Sequence, residues 1–176
     1  TYVEGCVTDG EPVKTGFVTQ FPEADQDPAV AIYIQELTAS DQPIAMRGYP
    51  KAYGEGQIIA SNTDITYTVF FQNVGADTVR RVVIRDTLSE NLDITTVTPG
   101  AASHPYNFEI YDNGTLRITF SDIELLPAGS ADASASSYGF VKFKVSQKPE
   151  LPEGTGIDNR AAVFFDYREP ALTNLV

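Results

Sequence analysis

The sequence predicts an all-β fold, an antiparallel immunoglobulin-like β-sandwich preceded by a strand-rich N-terminal arm. Short runs of alternating apolar and polar residues are separated by Gly, Pro and Asn turn signals, at a spacing of about 8–12 residues. No amphipathic helix of useful length interrupts the roughly seven strands that follow Asp64. This pattern is typical of the immunoglobulin-type sandwich, and a closed barrel is the alternative.

Length and composition allow one large folded domain, or one domain with an extension. The chain has 176 residues, and 42 % of them are hydrophobic. Ten Phe and nine Tyr supply material for a core. A chain of this length buries roughly two-thirds of its unfolded surface. The composition therefore predicts a packed core and excludes an intrinsically disordered chain.

The charge balance is strongly acidic. Twenty-four acidic and 12 basic residues give a net charge of −12. Such a surface repels phosphate backbones and anionic lipids, so no nucleic-acid partner and no membrane insertion are expected. It favours cations or a basic partner, or is simply a solvated acidic surface. No apolar run approaches the roughly 20 residues of a membrane-spanning helix, and the start at Thr1 suggests a processed protein or a fragment.

Residues 1–38 form the predicted N-terminal arm. Three strand-like pieces, 2–8, 15–21 and 29–37, are too short to build a core of their own. We expect the arm to pack on the sandwich, on a neighbouring domain or on another copy of the chain. Cys6 is the single cysteine, so it is a small apolar residue or an intermolecular bridge. The expected assembly residues are Tyr2, Val3, Cys6, Val7, Phe17, Val18, Phe21, Ile32 and Ile34.

Residues 39–56 are predicted to be an irregular linker. Pro43, Gly48, Pro50, Gly54 and Gly56 interrupt any regular element in this stretch. The sandwich itself is then expected to span residues 57–176.

The stretch 64–88 is the centre of the predicted sandwich. Ile65, Tyr67, Val69 and Phe71 alternate with polar residues, as in a half-buried strand. A polar break at 72–77 precedes a second apolar strand. The pair is therefore a β-hairpin or a crossover between two sheets.

Further strands follow in order. Residues 92–98 form a strand that Pro99-Gly100 is expected to end, and 106–120 form a hairpin whose Asn113-Gly114 pair suits a type I′ turn. Residues 123–127 are expected to form a short buried loop or edge piece. The remaining predicted strands are 138–146, the doubly apolar and hence centrally placed 161–167, and an edge strand at 172–176.

Five separated motifs carry a family resemblance. They are DITYTVFFQN at 64–73, VIRDTLS at 83–89, PGAASHPY at 99–106, GFVKFKVSQKP at 139–149 and NRAAVFFDY at 159–167. In this order they resemble a conserved-repeat domain of large secreted surface proteins of Bacteroidota, and the likeness runs from about residue 51 to 174. The resemblance implies an immunoglobulin-like sandwich, type IX secretion to the cell surface and no enzymatic activity.

Two departures from the family pattern stand out. Residues 40–47 replace the acidic turn through which the family enters this domain, and no sorting domain follows Val176. The second departure suits a mature product or a trimmed fragment.

Candidate catalytic and metal-binding residues are few. His104 is the single histidine and lies in a predicted turn, so no hydrolytic triad is expected and the chain is predicted not to be an enzyme. No cofactor is expected apart from a possible Ca²⁺. Glu23, Asp25 and Asp27 offer hard oxygen ligands for it, although the missing EF-hand glycine and distal glutamate favour a solvated loop.

Two kinds of glycan chemistry are open to this chain. Tyr49, Tyr53 and Tyr111 are candidate sugar-stacking residues, and core or edge packing is the alternative. Thr78 and Thr87 lie in Asp-Thr-apolar motifs that resemble the O-glycosylation sites of exported Bacteroidota proteins.

The functional prediction is a non-catalytic extracellular structural module. An N-terminal arm that adds to a neighbour's sheet would make it a self-assembling fibre or surface-layer subunit, with a homopolymer or neighbouring domains as partners. The alternative is an adhesin, a glycan-binding module or a spacer within a larger cell-surface protein.

Overall fold

A computed structural model describes residues 14–18, 32–36, 43–54, 57–111, 114–130 and 137–176. The chain divides into two compact units, Thr1–Asp41 and Gln42–Val176. In the first unit, β1 (Lys14–Val18) pairs antiparallel with β2 (Ile32–Glu36). The sequence predicted strands in both stretches, and the third predicted piece, 2–8, lies outside the described residues.

The described part of the second unit is a two-layer sandwich of antiparallel strands, as predicted. One sheet has the order β3-β4-β9-β6 and the other β11-β10-β5-β8-β7. Among the described residues, no helix is long and apolar enough to span a bilayer. The strands are β3 Ile44–Tyr49, β4 Asp64–Gln72, β5 Val79–Thr87, β6 Leu92–Ala102, β7 Asn107–Ile110, β8 Thr115–Leu125, β9 Tyr138–Gln147, β10 Ala161–Phe165 and β11 Ala171–Leu172.

The central stretch 64–88 is a crossover between sheets. β4 lies in the four-stranded sheet and β5 in the five-stranded sheet, so the polar break carries the chain from one layer to the other. Along β4, burial alternates strictly, with Ile65, Tyr67, Val69 and Phe71 inside. This is the period-two pattern that predicted the strand.

The core lies between the two sheets and is rich in aromatic rings. The ring centroid of Phe71 lies 5.3 Å from that of Phe120, and Tyr67 lies 5.4 Å from Phe143. Gly139 faces Phe71 across β4 and β9, and a Cβ there would sit 2.2 Å from the Phe71 ring. The core therefore requires glycine at position 139, because no side chain fits beneath that ring.

Two predicted interruptions are strands. Residues 44–49 of the predicted irregular linker form β3, which pairs with β4 in a regular register. The proline and glycine content of this stretch is tolerated because β3 is an edge strand. Likewise, β6 continues through Pro99-Gly100 to Ala102, because Pro99 lies on an edge strand with shifted register.

Three further details differ from the sequence prediction. β8 extends to Leu125, so much of the predicted loop piece 123–127 is strand. The β7–β8 loop places three residues between Tyr111 and Thr115, with Gly114 at φ 79°, whereas a type I′ turn has two. The two faces of β10 are not buried equally. Ala161 and Val163 are fully buried on the inner face, whereas Phe164 is half-buried on the outer face, beneath the Arg85 guanidinium, which lies 5.3 Å from the ring centroid.

Candidate functional site

A carboxyl–amide pair is buried in the sandwich, near the end of β5 and the start of β10. Asp86 of β5 and Asn159, just before β10, are each 1 % exposed. The Asn159 Nδ2 atom donates to Asp86 Oδ2 at 3.1 Å, while Asp86 Oδ1 and Asn159 Oδ1 have no hydrogen-bond partner among the described residues. Burial raises the pKa of Asp86 to about 7, against a smaller lowering by the Asn159 bond. A protonated Asp86 therefore suits this site, because both unpartnered atoms are acceptors and a protonated carboxyl group supplies an O–H donor.

The pKa of the Tyr67 hydroxyl, on the opposite sheet, responds to the same buried site. Burial raises the pKa of its hydroxyl, and the charges of Asp86 and Asp158 raise it further. Because Asp86 and Asn159 are sealed in the core, a substrate cannot reach them while the sandwich is closed. The pair is therefore a structural element of the core.

A second polar cluster fixes the crossover between the sheets. The buried Asn73 amide donates to the carbonyls of Asp77 and Leu125, each at 2.8 Å, and its Oδ1 accepts from the Gly75 N–H at 3.0 Å. Arg168 lies 3.4 Å from Asp77 at the surface. One side chain thereby satisfies three backbone groups where the chain changes layers.

A shallow groove lies on the outer face of β7 and β8. It has a volume of about 470 Å³ and is lined by Asn107, Phe108, Glu109, Arg117 and Thr119. The Arg117 guanidinium reaches over β7, 3.6 Å from Glu109 Oε2 and 3.3 Å from the Tyr111 hydroxyl. Both contacts raise the pKa of Arg117, and the hydrogen bond to Tyr111 has the largest effect. Thr119 Oγ1 and Arg117 Nε are buried without hydrogen-bond partners in the described part of the chain.

The three candidate sugar-stacking tyrosines are exposed. Tyr49, Tyr53 and Tyr111 all present their rings to solvent. Tyr49 ends the edge strand β3, whereas Tyr111 follows β7 at the other edge of the sandwich. The fold therefore does not join them into one platform, and Tyr111 alone lies beside the groove.

The remaining candidate residues are scattered or lie outside the described part of the chain. Thr78 is half-buried before β5, and the exposed Thr87 bonds Thr115 across the sheet at 3.2 Å. The Nδ1 atom of His104 is hydrogen-bonded to Oγ of its neighbour Ser103 at 2.9 Å.

The arm and metal residues are only partly covered. Phe17, Val18, Ile32 and Ile34 lie on β1 and β2, where Val18 is opposite Ile32. The other candidates, Tyr2, Val3, Cys6, Val7, Phe21, Glu23, Asp25 and Asp27, lie outside the described residues. Within the described residues, no cluster of three or more His, Cys, Asp or Glu side chains suits a metal ion.

Sequence reasoning missed the buried pair, although a signal was present. Asp86 falls in the inward phase of β5 with Val82, Ile84 and Leu88. A carboxylate in that phase is a buried charge that requires a polar partner. The partner, Asn159, is 73 residues away and could not be identified from spacing.

Comparisons with solved structures identify bacterial surface proteins of similar fold. The N-terminal domain of the Streptococcus gordonii adhesin Sgo0707 is 18 % identical with a TM-score of 0.53, and covers 82 % of this chain and 33 % of that one. The major pilin SpaD of Corynebacterium diphtheriae is 18 % identical with a TM-score of 0.52, over 83 % and 42 %. The major pilin subunit BcpA of Bacillus cereus is 14 % identical with a TM-score of 0.52, over 76 % and 38 %.

These likenesses establish the immunoglobulin-like fold, and the chain spans about a third to two-fifths of those proteins' length. A search of curated proteins found no match. One family model matches residues 50–176, which is most of the sandwich unit. The chain therefore belongs to the family described as a domain of unknown function (DUF7619).

Proposed function

We propose that this protein is a non-catalytic extracellular structural module, a fibre or surface-layer subunit whose N-terminal arm adds to the sheet of a neighbouring copy. One observation carries the proposal: the sandwich unit Gln42–Val176 has a core of its own, while a separate strand-forming unit precedes it. Extended segments of this kind can complete the sheet of another subunit. Similarity of fold to two pilins and an adhesin supports a role at the cell surface.

The export route belongs to the same proposal. The five motifs that resemble the Bacteroidota conserved-repeat domain lie within the part of the chain that the family model matches. We infer that the protein reaches the cell surface by type IX secretion. Deletion of the secretion machinery in the source organism should retain the protein inside the cell, and unchanged surface display would contradict this route.

The assembly role is tested by the mass of the particles that the protein forms. The full chain should form large assemblies in light scattering and negative-stain microscopy, whereas a truncated chain beginning at Gln42 should stay monomeric. Ile34→Glu in β2 should weaken assembly, because it places a charge on an arm strand. Ile58→Glu is the matched control, since Ile58 is an exposed sandwich residue. A full chain that is monomeric at all concentrations would refute the proposal.

A glycan-binding module is the second candidate, and the groove beside Tyr111 favours it. Planar polar side chains beside an exposed aromatic ring are suited to sugar hydroxyls and a sugar face. Tyr111→Ala should then abolish binding on a glycan array, while Tyr138→Ala removes another exposed tyrosine and should not. A blank array with folded protein would exclude this candidate.

The calcium and glycosylation predictions have separate tests. Calcium held by Glu23, Asp25 and Asp27 should raise the melting temperature of the full chain, and their Ala variants should lose the shift. O-glycans on Thr78 or Thr87 should appear in mass spectra of protein purified from its source. An unmodified mass would remove that assignment.

A further inference from the structure

We propose that β7 is the sheet edge that accepts a strand from the N-terminal unit of a second copy of this chain. This inference rests on the proposed self-assembly and names its acceptor site. An open edge strand presents N–H and C=O groups that can pair with another chain. The described sandwich has four edges, β3, β6, β7 and β11, and they differ in how far they are closed.

The C-terminal segment closes the edges of β3 and β11. The Asn174 side chain accepts from the Met46 N–H at 2.8 Å and donates to the Met46 carbonyl at 3.0 Å. Both backbone groups of a central β3 residue are therefore occupied. β11 contains only two residues, and because Thr173 donates its N–H inward to Ala161, only Leu172 of the two points its backbone groups outward. An added strand would have to displace the Asn174 contacts to reach β3.

The edge of β6 is closed by distortion. Its pairing with β9 shifts register twice, between Asp93 and Thr98 and again between Pro99 and Ala102. Pro99 has no N–H to offer, and the Tyr106 hydroxyl occupies the Gly100 carbonyl at 2.5 Å. Bulges and a proline are the usual protection of an edge strand against further pairing.

The edge of β7 carries none of these protections among the described residues. Its register with β8 is regular from Asn107 to Ile110. Because Tyr111 and Thr115 form a hydrogen-bonded pair, the alternation of the antiparallel ladder places the N–H and C=O of Phe108 and Ile110 on the outer side. Ile110 is also 43 % exposed, so an apolar side chain accompanies the open backbone groups.

Charge and pattern favour the N-terminal unit of a second copy as the added strand. Residues 1–41 contain eight acidic residues and one lysine. The Arg117 guanidinium lies over β7, 3.6 Å from Glu109. An acidic segment beside β7 would give Arg117 a second negatively charged partner on the outer face. Alternating apolar positions such as Ile32 and Ile34 suit the inner side, next to Ile110 and Phe108.

The test uses the full chain with substitutions at Ile110. Ile110→Glu adds a charge that repels an acidic strand, and Ile110→Pro removes an outward N–H without breaking the pairing with β8. Leu172→Glu is the matched control, because Leu172 is 58 % exposed on β11 at the opposite edge of the same sheet. We expect Ile110→Glu and Ile110→Pro to raise the concentration at half-assembly roughly tenfold or more, and Leu172→Glu to match the wild type.

The outcomes separate this inference from the assembly proposal. A thermal unfolding midpoint near that of the wild type shows that a variant is folded. If Ile110→Pro is not folded, Ile110→Glu alone tests the acceptor edge. If Ile34→Glu prevents assembly but both Ile110 variants assemble like the wild type, β7 is not the acceptor and the assembly role stands. If Leu172→Glu is as defective as Ile110→Glu, the effect is one of charge and β7 is again excluded. A monomeric wild-type chain overturns both.

Discussion

Replacing the buried Asp86 by Asn should remove a large pH dependence from the stability of the sandwich. In the folded chain Asp86 is 1 % exposed, and burial raises its pKa from the usual 3.8 to about 7. The folded state therefore holds a proton that the unfolded state releases at lower pH. The stability associated with this group is fully present below pH 3.8 and is lost as the pH rises to about 7.

The magnitude follows from the difference between the two pKa values. A difference of about 3 pKa units corresponds to about 4 kcal/mol, as an upper limit, because each unit is worth about 1.4 kcal/mol. Above pH 7 the wild type carries this whole cost, since it must bury a carboxylate or bind a proton. Asp86→Asn keeps the size of the side chain and cannot ionise. The variant should therefore exceed the wild type in stability at pH 8 and match it more closely at pH 5.

Urea unfolding at pH 5, 6, 7 and 8 measures this effect as the difference between variant and wild type at each pH. Surface carboxylates such as Asp64, whose hydrogen bond from Ser146 lowers its pKa, titrate in both proteins and cancel in that difference. Asp158→Asn is the control, since it removes an exposed carboxylate beside the same site and leaves Asp86 in place. Parallel profiles for Asp86→Asn would show that Asp86 is ionised at neutral pH in the fold.

Two further substitutions test the packing and the crossover. Gly139→Ala should lower the free energy of unfolding by about 3 kcal/mol, because its Cβ would meet the Phe71 ring at 2.2 Å, whereas a Cβ at Gly48 has no neighbour closer than 3.7 Å and Gly48→Ala should cost little in the same urea assay. Asn73→Ala should cost roughly 2–4 kcal/mol through three lost hydrogen bonds, and the exposed Asn107→Ala about 0.5 kcal/mol or less. Equal effects within either pair would contradict these contacts.

The strands were predictable wherever one face is buried and the other is wet. β4 is the clearest example, because its burial alternates residue by residue as its sequence does. β3 was not predicted, since its flanking Pro43 and Pro50 and internal Gly48 are the signals of a loop. Pairing with β4 along its whole length overrides those local preferences. Local sequence does not contain that partner, which begins 20 residues after β3 does.

The candidate site was less predictable than the fold, for two physical reasons. Tyr49, Tyr53 and Tyr111 are exposed, although aromatic residues in a β-rich chain are more often packed in a core or against an edge. Composition cannot rank individual rings, because exposure depends on the strand phase and on the neighbouring strand. The closure of β3 by Asn174 joins residues 128 positions apart, so no sequence pattern indicates it.

The sheet edges of this sandwich differ in how well they are protected against pairing with a strand of another chain. Unprotected edges invite indiscriminate pairing, and this sandwich blocks three of them by different means, with Asn174, with Pro99 and bulges, and with the shortness of β11. β7 offers about four outward backbone groups, because only Phe108 and Ile110 point away from β8. These few hydrogen bonds are too weak to hold an added strand on their own. The remaining binding energy must come from apolar contacts with Ile110 and from the charge of Arg117. We therefore expect a strand added at β7 to bring apolar residues at alternate positions, as Ile32 and Ile34 do in β2.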